Sequence, residues 1–213
     1  MSEKAPTRAY RSALRTEQAA ATRRRILEAA AACFAEHGYS GTSLADIGAR
    51  AGVSPETVKV NGPKRELLLG AFEQAFAGAE GEAPVSESDR ARQLIAEADD
   101  DAFLTGVAAF VGAANARTSA LWMEFLAAAN ADPAVASALD DLLARRRGDY
   151  LRVVEQLVER GIAVGVDDPQ DAAAALSFLW SPESHQQLVL QSGWGIERYE
   201  RWLADVARRQ FAG

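Results

Sequence analysis

"TSLADIGARAGVSPETVKVNGPKREL", residues 42–67, holds two short helical patterns separated by a glycine. Ser43 stands before Leu44 with Asp46 three residues on, a variant of the capping box that satisfies free N–H groups at a helix start. Leu44, Ile47 and Ala51 give this helix an apolar side, and Gly52 suits the left-handed conformation that ends it. Ser54 then caps a second helix with Pro55 at its first position, where the missing N–H costs nothing. Thr57 to Val60 complete it and Asn61-Gly62-Pro63 breaks it. Neither helix persists alone in water, because nucleation is costly and propagation this brief does not offset it. A glycine corner, with the small Gly48 at the point of approach, predicts a helix-turn-helix whose crossing is set by Ile47, Ala51, Val53 and Val58.

Such a corner needs a platform. A helix is predicted from about Thr16 to His37, with Ile26, Ala30 and Phe34 four apart and Gly38 as the stop. Pro63 opens a further helix with Leu67, Leu68, Ala71, Phe72 and Phe76 inward. Residues 1–15 carry Lys4, Arg8, Arg11 and Arg15 and read as a flexible arm. The Gly-, Ala-, Glu- and Ser-rich stretch from Ala77 to Asp89 reads as a boundary, dividing the chain into units 1–78 and 79–213. Beyond it, helices are expected near 90–115, 118–130, 133–162, 170–184 and 196–211, with no strand alternation and no repeat. The expected fold class is all-α: an N-terminal three-helix helix-turn-helix unit and a larger C-terminal helical unit.

Composition bounds the function. The chain has 213 residues, 48% of them hydrophobic, which is enough for a real core. Its single cysteine, Cys33, lies in an apolar run and reads as core, so neither a disulfide framework nor a metal cluster is expected. No apolar stretch reaches the roughly 18 residues of a membrane span, and the N-terminus lacks a signal-peptide core. A cytoplasmic protein without a membrane partner is the expectation. The net charge of −7 hides an asymmetry: residues 1–65 hold eleven Lys/Arg against six Asp/Glu, the remainder twelve against twenty-four. A basic third on an acidic body is what a local polyanion-binding surface requires.

The outer side of the second short helix offers Thr57, Lys59 and Asn61, with Ser54 and Glu56 near its start. Hydrogen-bonding side chains and a cation near a helix N-terminus suit the major groove of a DNA duplex. Lys64 and Arg65 at the next helix start are placed for phosphate, and Thr42 and Ser43 for the backbone beside the preceding helix. The arm arginines add candidate phosphate or minor-groove contacts. Two rival classes stand against this reading. An enzyme would need a nucleophile with a base, a metal cluster or a phosphate loop; the chain has two distant histidines and no such fingerprint, so no catalytic residue and no cofactor is expected. A helical protein-interaction module would share the corner but ignore DNA.

Residues 22–76 resemble the N-terminal domain of TetR-family transcriptional regulators. "TRRRILEAAAACFAEHGYSGTSLADIGARAGVSPETV" followed by "KRELLLGAFE" has the family's elements in order and spacing. One departure stands out: the family's aromatic segment after the recognition helix is replaced by Lys59-Val60-Asn61-Gly62-Pro63, which passes the phosphate contact to Lys59. The resemblance implies a repressor, released from a palindromic operator by a small-molecule effector. It also implies a homodimer through the last long helices. Candidate stripes there are Ala172, Leu176, Leu179 and Trp180, then Tyr199, Trp202, Leu203, Val206 and Phe211, which could equally be core. A pocket is expected among Phe103, Phe110, Trp122, Met123, Phe125, Leu126 and Tyr150, with Asn115 and Asn130 as polar handles. His185 reads as a surface or capping residue.

Overall fold

A computed structural model describes residues 8–81, 83–96 and 99–211, with side chains from residue 15 onward. The helices are α1 (Arg8–Gly41), α2 (Leu44–Ala51), α3 (Pro55–Val60), α4 (Lys64–Ala77), α5 (Asp89–Ile95), α6 (Asp100–Ala131), α7 (Pro133–Glu159), α8 (Pro169–Leu179), α9 (Pro182–His185) and α10 (Ile196–Phe211). A short 3-10 turn at Val85–Glu87 and a π turn at Gln186–Gln191 complete the order, and no strand occurs among the described residues.

Several boundaries differ from the sequence reading, each for a local reason. α1 starts at Arg8 rather than near Thr16, because residues 8–22 contain neither glycine nor proline to stop it. The arm's Lys4, and the side chains of Arg8 and Arg11, lie outside the described residues. Gly38 does break α1, at φ 76, leaving one more turn to Gly41. The helix expected over 90–115 is two helices, because the Asp99 carboxylate caps a fresh start at Ala102 N. No break follows Asn115: α6 runs straight through, with the Thr118 hydroxyl donating to Ala114 O at 2.8 Å. α8 stops at Leu179, since Ser181 and Pro182 nucleate α9.

Two cores organise the molecule. The first joins Ile26, Leu27 and Phe34 of α1 to Ile47, Val58, Leu67, Leu68 and Phe72, and continues into Leu121, Trp122 and Phe125 of α6 and Val135 of α7. The N-terminal helices therefore share their core with the body. The second joins the N-terminal half of α6 to α7, α8 and α10 through Phe103, Leu104, Tyr150, Val154, Leu176, Trp180, Tyr199 and Leu203. Asn115 pins this core: its Nδ2 donates to Trp180 O, Ser181 O and Tyr199 Oη at 2.9–3.2 Å. His185 is buried rather than superficial, with Nδ1 3.0 Å from Ser119 Oγ and its ring against the edge of Tyr199. No helix among the described residues is long and apolar enough to cross a membrane.

Candidate nucleic-acid interface and ligand cavity

The corner is built by short-range contacts. Ser43 Oγ accepts from Asp46 N while Asp46 Oδ2 accepts from Ser43 N at 2.9 Å, the full reciprocal capping box. The Ser43 hydroxyl, donating to Asp46 Oδ2 at 2.6 Å, and then the Ser43 N–H hold the Asp46 carboxyl below its usual range. Gly52 ends α2 in the left-handed region at φ 66. Gly48 is required for a different reason: a Cβ there would sit 2.9 Å from Val53 O. Ser54 Oγ accepts from Thr57 N at 3.1 Å and starts α3. Each cap contributes about 1 kcal/mol, whereas full burial of Ile47 or Val58 contributes roughly 1.5–3 kcal/mol each, so packing decides that these helices exist.

Of the predicted DNA-facing residues, Ser43, Ser54, Glu56, Lys59 and Arg65 are exposed and Thr57 is half-buried. Thr42 is different. It is buried, and its hydroxyl donates to Cys33 O and Gly38 O at 3.0 and 2.8 Å, closing the α1–α2 turn. Lys64 likewise turns inward, its Nζ donating to Tyr39 O and Thr42 O at 2.8 and 3.1 Å and lying 4.4 Å from the Tyr39 ring centroid. The Asn61 side chain donates back to Thr57 O at 2.8 Å, capping α3. These three side chains brace the head. Part of its positive charge is also spent internally: Arg25 bonds Ala51 O, and Arg50 pairs with Glu36 at 2.7 Å, which lowers the Glu36 carboxyl. Burial pushes the Cys33 thiol up, in keeping with a core residue.

A cavity of about 870 Å³ lies between α4, α6, α7 and the segment after α4. Phe103, Phe110, Trp122 and Tyr150 line it, as the sequence suggested. Three other expected residues do not. Phe125 is fully buried in the first core, Leu126 packs against that core, and Met123 is 40% exposed. Met123 points about 100° away from Trp122, whereas Phe125 and Leu126, three and four positions on, keep its side of α6 one turn further along, where the first core takes them up. Neither asparagine reaches the cavity: Asn115 is spent across the second core and Asn130 is exposed.

Sequence reasoning missed the cavity's other wall: Phe72 and Phe76 of α4, and Arg145, Arg146 and Arg152 of α7. One signal was available. Arg145, Arg146 and Arg147 are consecutive, and three consecutive helical positions span about 200°, so one of them turns toward the body. Arg145 pairs with Glu73 of α4 at 2.6 Å, and Arg117 of α6 donates to Ala75 O at 2.9 Å, so α4 is tied to both helices behind it. Another missed residue is Arg23. It pairs with Glu80, which lines the cavity, and donates to Asn61 O at the end of α3. Tyr150 is fixed by donating to Trp180 O at 3.1 Å, and burial raises its phenol, which stays protonated.

The candidate dimer stripes lie largely inside the protomer. Leu176, Trp180, Tyr199, Leu203 and Phe211 belong to the second core, and Ala172, Leu179, Trp202 and Val206 pack against it. Phe178 of α8, Leu190 and Ile196 instead stand exposed, Phe178 at 77%.

Residues 26–58 match the family model for bacterial regulatory proteins of the tetR family. The chain is 30% identical over 211 residues to the HTH-type transcriptional regulator CymR of Pseudomonas putida, covering 92% of this chain and 94% of that one. Two solved structures described as TetR-family transcriptional regulators share the fold. The one from Mesorhizobium loti has a TM-score of 0.67 at 24% identity, covering 91% of this chain and 96% of its own. The one from Rhodococcus sp. has a TM-score of 0.67 at 22% identity, covering 90% and 99%.

Proposed function

The chain belongs to the TetR family of bacterial transcriptional regulators, DNA-binding proteins with an N-terminal helix-turn-helix, and from that premise we propose that it is a repressor released from a palindromic operator by a small molecule. In this reading residues 1–78 grip the duplex, and residues 79–213 dimerise and hold the effector. The exposed outer side of α3, with Ser54, Glu56, Thr57 and Lys59, faces the major groove. Ser43 and Arg65 meet phosphates beside it. Thr42, Lys64 and Asn61 contribute indirectly, by bracing the turn and the end of α3.

Two protomers associate through the outer faces of α8 and α10, with the exposed Phe178 as the aromatic anchor. Two-fold symmetry then sets the pair of recognition helices about 34 Å apart, one duplex turn.

The single observation that carries the effector reading is the cavity wall made by Phe72, Glu73 and Phe76 of α4. α4 also packs on α1, behind the corner. A molecule that fits the cavity in only one placement of α4 biases the head spacing, and a coupling of roughly 1–3 kcal/mol changes operator affinity about 5- to 150-fold. The Glu80–Arg23–Asn61 link offers a second route, from the cavity rim straight to the end of α3.

The test is binding of the full-length protein to duplex fragments flanking its own gene across 50–200 mM salt. Tight, salt-sensitive binding, with the slope reduced by about 1 in Lys59→Gln, is expected. Indifference to every duplex at low salt would favour a protein-interaction module instead.

A further inference from the structure

The cavity's charges are unevenly matched. Glu73 pairs with Arg145 at 2.6 Å, Glu80 with Arg23, and Asp149 with Arg152 at 2.7 Å. The remaining acids of the lining, Glu87 and Glu155, are exposed to solvent. Arg146 is the exception among the lining arginines. It is half-buried, donates to Ser177 O at 2.6 Å and lies beside the Tyr150 hydroxyl, with no carboxylate within ion-pair distance among the described residues. Its guanidinium carbon lies 5.6 Å from the Trp122 ring centroid and 5.5 Å from that of Tyr150, a shelf of two aromatic rings. The same wall holds a donor without an acceptor: the buried indole Nε1 of Trp122 makes no hydrogen bond.

A partly desolvated cation and a buried N–H, both short of acceptors, carry a free-energy cost that the protein itself does not offset. A carboxylate supplies up to four acceptor sites and a full negative charge, and guanidinium accepts it in a paired geometry. Beside the paired or solvent-exposed charges, Phe72, Phe76, Phe103 and Phe110 give the wall its aromatic, apolar surface. We infer that the cavity takes an organic carboxylate with an apolar, ring-containing body, its acid group held by Arg146 and Trp122 and its body stacked among the phenylalanines. This inference rests on the reading of the cavity as the effector site and names the ligand class for it.

Three probes with one body and different heads test it on the full-length protein: biphenyl-4-acetate, biphenyl-4-acetamide and 2-(biphenyl-4-yl)ethylamine, titrated calorimetrically at pH 7.5. The acetate is expected to bind about 10-fold or more tightly than the amide, with the amine weakest. Arg146→Gln should reduce the acetate to the level of the amide, and Arg146→Lys should retain part of the preference. Circular dichroism melts and DNA binding of both variants report whether they fold. Equal binding of all three probes, preference for the amine, binding of none, or an unchanged acetate affinity in a folded Arg146→Gln protein would each overturn the assignment. Should the acetate bind through Arg146 yet leave DNA affinity unchanged, the carboxylate site stands and the release mechanism falls.

Discussion

The helix-turn-helix corner and the cavity behind it are built on opposite scales. Within the corner, the contacts that set the backbone span few residues: Ser43 with Asp46, Gly48 with Val53, Ser54 with Thr57, Asn61 with Thr57. The cavity assembles Phe76 with Phe110, Glu73 with Arg145, and Arg146 with Trp122, residues far apart in the chain. A site made of short-range contacts is robust in shape and can act as a rigid reading head. A site made between helices changes shape whenever those helices slide, which is the property a sensor needs. The two meet in the first core, where α4 and α6 pack together.

That meeting point gives the largest expected effect. Phe125 is fully buried between Phe72 and Trp122, and Phe125→Ala should cost about 3–5 kcal/mol. Urea unfolding followed by both helix content and tryptophan fluorescence should show one coincident transition. Separate transitions for head and body would break the claim of a shared core.

Next comes the corner itself. Gly48→Val drives a side chain into the Val53 carbonyl and should destabilise the head by about 1–3 kcal/mol while abolishing DNA binding. A variant that binds DNA like the parent would mean that the tight approach of α2 and α3 is dispensable.

The Arg23–Glu80 pair sharpens the comparison, because it joins a corner carbonyl to the cavity rim. Both side chains are partly exposed, so the pair should contribute no more than about 1 kcal/mol to stability. A double-mutant cycle of Arg23→Gln and Glu80→Gln, read on operator affinity, should give non-additive losses. Strict additivity would remove this link as a route between the two regions.

The smallest effect concerns pH. Burial holds the His185 imidazole below its ordinary value near 6.5. The unfolded chain then takes up a proton that the folded chain resists, so stability is full above about pH 7 and falls as pH drops through 6.5 towards the folded value. His185→Gln should flatten stability between pH 7 and 5. An unchanged slope would place the pH response elsewhere.

How much could be read in advance follows from the same difference in scale. The limits of α2 and α3 follow from Ser43, Gly52, Ser54 and Pro55, since capping and left-handed glycine act within a turn. That Phe72 lines the cavity while Phe125 does not depends on how α6 is set against α4, and nothing local fixes that. Thr42 and Lys64 sit where phosphate contacts were expected, yet both turn inward to fill carbonyls left open by the kink at Gly38 and the turn after it. An arginine's partner is equally hidden: Arg23 finds Glu80 across 57 residues.

The central claim is that two corners, one from each protomer of a dimer, lay α3 into adjacent major grooves. Hydroxyl-radical footprinting of the duplex flanking the protein's own gene tests it most directly. The expected pattern is two protected tracts related by two-fold symmetry and centred about 34 Å apart along the duplex. A single unpaired tract, or no protection at low salt, would contradict it.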